Sequence, residues 1–172
     1  MKEDQFRLKN KVIFPNYEML ELAVKVIINP TFGWITASLL LYGCRPKEVF
    51  SLIPQANGKA TVIDLYGKNK KNMRREVYAI PSDVVEKLNL IDQVSKPISI
   101  DNLNEYKEDK VDIFMRNWSD WFRSIEKDVE LVDFREAWAQ RAIINCIPNN
   151  VAAFYLGITL EDFQSSYLVS KK

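Results

Sequence analysis

Apolar residues recur along this chain first at helical spacing, then at strand spacing, then at helical spacing again, and the switches mark out the elements. Leu20, Val24 and Ile27 share one face of a helix predicted from Tyr17 to about Ile28, with Asn16 as its cap and Asn29-Pro30 as its stop. Thr31 can cap a second helix from Phe32 through Tyr42, which is apolar on nearly all sides and therefore predicted to be deeply buried, with Gly43 marking its end. Pro46 suits the first position of the next helix, Glu48 falls in its first turn, and Pro54 limits it. After the turn residues Gln55-Ala56-Asn57-Gly58-Lys59, β-branched and aromatic residues predict strands over Ala60 to Tyr66 and Arg74 to Ile80, a hairpin with a charged tip.

The second half of the chain reads as mostly helical. Pro81-Ser82-Asp83 opens a short helix to about Leu88, and the stretch from Ile91 to about Lys107 has no period and reads as loop. Val111, Phe114, Trp118, Trp121, Phe122 and Ile125 then define a long amphipathic helix whose aromatic stripe, at this spacing, belongs to the core. Helices from about Phe134 to Cys146 and from Asn149 to Leu156 follow, separated by Ile147-Pro148. Thr159 with Asp162 forms a capping signal for a last helix carrying Phe163 and Tyr167. The predicted class is mainly α with a small antiparallel β-sheet, an α+β fold.

Composition narrows the picture. With 172 residues, 47% of them apolar, the chain has material for one core, and residues 1–172 read as a single domain. No apolar run approaches the roughly 20 residues that span a bilayer, and Met1-Lys2-Glu3-Asp4-Gln5 lacks the apolar stretch of a signal peptide, which predicts a cytoplasmic protein. Cys44 and Cys146 are the only cysteines and the chain has no histidine, so neither a metal site nor a disulfide framework is expected, and both thiols should be reduced. The net charge is only +1, so any surface for a polyanion must be local. The segment Lys68-Asn69-Lys70-Lys71-Asn72-Met73-Arg74-Arg75 is that candidate, offset by the acidic stretch from Asp101 to Asp112.

Three sparse signatures carry candidate chemistry: Gly43-Cys44-Arg45-Pro46-Lys47-Glu48, Val132-Asp133-Phe134-Arg135, and Leu156-Gly157 followed ten residues after the glycine by Tyr167. Together with Gly67-Lys68 in the hairpin, their order resembles the catalytic domain of the tyrosine recombinase, or phage integrase, family. The likeness runs from about Asn16 to Tyr167 and implies that family's fold, a mainly helical domain with a small three-stranded sheet. It implies a DNA-associated enzyme that cleaves and rejoins strands through a 3′-phosphotyrosine, without metal or cofactor, as a homo-oligomer with four protomers on double-stranded DNA. By the resemblance Tyr167 is the nucleophile, Arg45 and Arg135 grip the phosphate, Lys68 donates a proton to the leaving oxygen, and Glu48 supports the first arginine. The planar fork of arginine suits the phosphate role because it gives two parallel hydrogen bonds and keeps its charge. Lys70, Lys71, Arg74 and Arg75 would contact the DNA backbone and position the duplex.

This chain departs from the pattern where Val132 and Ile158 stand at histidine positions and Glu136 follows Arg135. The family's upstream DNA-clamping domain is not found in this sequence. Two readings stay open: a recombinase domain with variant accessory residues, or a catalytically weakened or inactive DNA-binding or assembly module on the same scaffold.

Overall fold

The most apolar segment of the chain forms a helix enclosed by the rest of the protein in the computed structural model, which describes residues 6–8, 30–64, 73–88, 90–91, 108–125 and 130–170. This helix, α1 (Pro30–Tyr42), buries Trp34, Ile35, Ala37 and Leu39 through Tyr42, as its all-round apolarity predicts. It begins one residue before the expected Thr31 cap, because proline tolerates the first helical position, where no backbone N–H is needed. The predicted helix after Pro46 is a 3-10 turn, Pro46–Ser51, that leads into β2 (Ile53–Pro54).

Strands β3 (Lys59–Asp64) and β4 (Met73–Tyr78) pair antiparallel, with Asp64 opposite Met73 and Lys59 opposite Tyr78. Strand β2 adds to β3, completing a three-stranded sheet in the order β2-β3-β4. The first strand begins one residue before the predicted Ala60, and residues 65–66 at its predicted end lie outside the described residues, while the second ends at Tyr78, short of the predicted Ile80. Ala79 N–H and Ile80 N–H instead donate to Gly58 O and Leu41 O, at 2.8 and 2.9 Å, which carries the chain off the sheet and onto α1. Ser51 fixes the 3-10 turn to the sheet by accepting from Ile63 N–H at 2.8 Å.

The remaining helices are α2 (Val84–Lys87), α3 (Glu108–Ile125), α4 (Leu131–Ile144), α5 (Asn149–Leu156) and α6 (Leu160–Tyr167). The aromatic stripe of α3 belongs to the core: Trp118 and Phe122 stack with ring centres 5.4 Å apart, both meet Phe134 of α4, and Trp118 Nε1 donates to Thr36 Oγ1 at 3.1 Å. Ile125, the last residue of that predicted stripe, is exposed at the helix end. Helix α4 starts three residues earlier than predicted, since Glu130 N–H donates to Asp133 Oδ2 at 2.7 Å and closes the first turn there. It stops at Ile144 rather than Cys146, whose φ of 57° lies in the left-handed region.

Thr159 caps α6 as predicted, accepting from Asp162 N–H at 3.0 Å. Beyond Tyr167 the chain forms β5 (Leu168–Ser170), which pairs antiparallel with β1 (Phe6–Leu8). Strands of three residues are too short to show alternation, so neither was legible in the sequence. Both cysteines are free; Cys44 is buried, with its thiol pushed up to about 12 chiefly by burial, and Cys146 is exposed. Among the described residues no helix is long and apolar enough to cross a membrane. The predicted helix from Tyr17, residues 92–107 of the polar stretch, and the hairpin tip with Lys68, Lys70 and Lys71 lie outside the described residues.

Candidate active site

A helix leaves its last carbonyls without intrahelical partners, and the way α5 resolves this organises the site. Gly157 takes φ 67°, so its N–H turns back to Phe154 O at 3.0 Å while Ile158 N–H reaches Ala153 O at 3.1 Å. The next three carbonyls, those of Tyr155, Leu156 and Gly157, each accept from a different arginine. Arg75 Nη1 donates to Tyr155 O, Arg135 Nη2 to Leu156 O at 3.0 Å, and Arg45 Nη2 to Gly157 O at 3.1 Å. The partial negative charge at a helix C-terminus favours cations there, so three guanidinium groups gather despite their mutual repulsion.

Arg45 sits in extended backbone at the entry to the 3-10 turn, where its own N–H donates to Glu48 Oε2 at 2.7 Å and its Nη1 to Glu48 Oε1 at 3.2 Å. Glu48 is buried, 3% exposed, and its Oε2 also accepts from Arg75 Nη2. One carboxylate therefore orients two arginines. Arg45 remains 43% exposed, with Asp64 3.9 Å from its Nη1.

Arg135 is reached through Gly43, whose carbonyl accepts from Arg135 Nη1 at 2.9 Å. Gly43 has φ 58°, and a Cβ there would lie 2.7 Å from Trp138 Cβ, so only glycine fits between α1 and α4. Burial lowers the Arg135 guanidinium from its ordinary value, opposed by the neighbouring Tyr167 and Glu48. Tyr167, the last residue of α6, is raised above the usual phenol value chiefly by burial, while the charge and hydrogen bonding of Arg135 pull the other way. Arg135 thus lies near enough for its charge to act on the Tyr167 phenol.

A cleft of about 420 Å³ opens beside this cluster, lined by Arg45, Glu48, Arg74, Arg75, Gly157 and Ile158 among others. Arg135 and Tyr167 are outside that lining, and Arg135 adjoins it through its bond to Leu156 O. Residues 65–72, with Lys68, Lys70 and Lys71, lie outside the described residues, but the strand ends that flank them, Asp64 and Met73, both line the cleft. Arg74 is exposed at its edge. Arg75 points inward instead, a placement that the basic run obscured. The signal was strand alternation: Arg75 shares a face of β4 with the buried Val77.

No protein-family model matches the chain. It is 28% identical over 148 residues to Excisase C and 27% identical over 144 residues to Excisase A, both of Nostoc sp., each match covering 78% of this chain. Those excisases are tyrosine recombinases. The chain is a distant homologue of the tyrosine recombinases. The matched region spans only 28% and 30% of the two excisases, so this recombinase homologue corresponds to less than a third of each. A solved protelomerase variant, covalently complexed with substrate DNA, resembles it over 87% of this chain and 55% of that one, at 16% identity and a TM-score of 0.48.

The departures also have definite places in the recombinase homologue. Val132 is 63% exposed on the first turn of α4, and Ile158 lines the cleft. Neither side chain can donate a hydrogen bond. Glu136, the residue after Arg135, adds negative charge near Tyr167 and raises its phenol further.

Proposed function

We propose that this chain is the strand-breaking and rejoining part of a DNA recombinase, working through a 3′-phosphotyrosine. The observation that supports the reading best is that Arg45 and Arg135 are held on consecutive carbonyls of one helix end while Arg135 interacts with Tyr167. In this reading the Tyr167 phenolate oxygen attacks the phosphorus, the bond to the 5′ oxygen breaks, and that oxygen takes a proton from Lys68. The protein is left bonded to the 3′ phosphate and the DNA with a free 5′ hydroxyl. Arg45 and Arg135 stabilise the charge that develops on the nonbridging oxygens, the main catalytic term in such transfers.

A second reading, a DNA-binding or assembly module without cleavage, is favoured by Ile158 in the cleft. A missing transition-state donor costs about 10²-fold to 10³-fold in rate. The two readings separate on a library of random-sequence duplexes carrying a nick, from which the short strand released by cleavage diffuses away and traps the intermediate. The recombinase reading expects a denaturation-resistant protein–DNA adduct that Tyr167→Phe abolishes while noncovalent binding persists. Salt-sensitive binding with no adduct supports the module, and an adduct that survives Y167F removes Tyr167 from the mechanism.

A further inference from the structure

Arg75 is the guanidinium of the cluster to which the proposed chemistry assigns no part. Its side chain is 12% exposed, against 43% for Arg45. Both ends of its fork are engaged by the protein, Nη2 by Glu48 and Nη1 by Tyr155 O. Its stem lies flat against the helix turn: a Cβ on Gly157 would fall 2.6 Å from Arg75 Nε and 2.9 Å from Cδ. Glycine at 157 is therefore required both for the left-handed turn and for the approach of this arginine.

Arg75 thus touches the two groups that set the phosphate clamp. Glu48 is the carboxylate that orients Arg45, and the Tyr155–Gly157 turn supplies the carbonyls that hold Arg45 and Arg135. It also lies two residues from Met73, where β4 leaves the hairpin segment 65–72. We propose that Arg75 is a positioning residue: it fixes Glu48 and the end of α5, and so the spacing of Arg45 and Arg135, without itself contacting phosphate. This rests on the recombinase reading above. The physical expectation is a loss in the chemical step rather than in binding, because a displacement near 1 Å of catalytic groups costs on the order of 10²-fold.

The test compares the wild-type chain with Arg75→Gln and Arg75→Lys on the duplex sequence recovered from wild-type adducts. It reads the single-turnover rate of adduct formation, the Kd, and the slope of log Kd against log salt. R75Q is expected to slow adduct formation by about 10²-fold, to leave Kd within about threefold, and to leave the salt slope unchanged, with R75K intermediate in rate. A direct phosphate contact would instead reduce the slope by about 0.9 in R75Q, and that result, or a wild-type rate in R75Q, overturns the proposal. If circular dichroism shows R75Q unfolded, R75K decides on the same readouts: a slowed rate at unchanged Kd supports positioning, and a wild-type rate overturns it. Absence of an adduct from the wild-type chain sinks the recombinase reading and this inference with it, whereas a wild-type adduct indifferent to Arg75 sinks the inference alone.

Discussion

Tyr167 ends α6 with its phenol within the influence of Arg135, and two opposing effects act on its proton. Burial favours the neutral form and outweighs the stabilisation that Arg135 gives the phenolate, so the phenol stays above its ordinary value near 10. In the folded chain the Tyr167 phenolate is therefore a small and still rising fraction throughout the neutral and mildly alkaline range. With a duplex whose 5′ bridging oxygen is replaced by sulfur, a leaving group that needs no proton, Lys68 drops out of the profile. The rate of adduct formation is then expected to climb with pH across the neutral and mildly alkaline range, and to be still rising at about pH 10. A plateau below pH 9 would mean that a different group limits the step. At this scale the sequence was legible where a residue is defined by its neighbours in the chain: Arg45 by the glycine, proline and glutamate around it, and Tyr167 by its distance from Gly157. Arg75 was not, because its partners are 27 residues away at Glu48 and 80 away at Tyr155.

Among the elements, α5 matters to the site more for how it ends than for the face it buries. Its left-handed glycine uses two carbonyls in the turn and presents three to the arginines, a feature that no apolar period reports. The elements themselves were legible wherever their patterning was long. The all-round apolarity of α1 and the aromatic stripe of α3 placed both in the core, while β1 and β5 were too short to signal anything. The join between α1 and α3 carries a measurable share of stability. Trp118→Ala removes a fully buried indole, its stacking on Phe122 and the hydrogen bond to Thr36, and is expected to cost about 3–5 kcal/mol in urea unfolding. A cost below about 1 kcal/mol would show that the stripe is not packed as described.

For the molecule as a whole, a net charge of +1 conceals a concentration of cations. Arg45, Arg75 and Arg135 come from the 3-10 turn entry, a β-strand and a helix, and meet at one helix terminus, where Arg45 and Arg75 share the Glu48 carboxylate. That convergence, with Tyr167 under the influence of one of the three, is the basis of the proposed chemistry. The most direct measurement is to digest the DNA from a trapped adduct and identify by mass spectrometry the residue that retains a nucleotide 3′-phosphate. The convergence predicts that the remnant is on Tyr167 alone. A remnant on any other residue, such as Tyr78 or Tyr155, would contradict it.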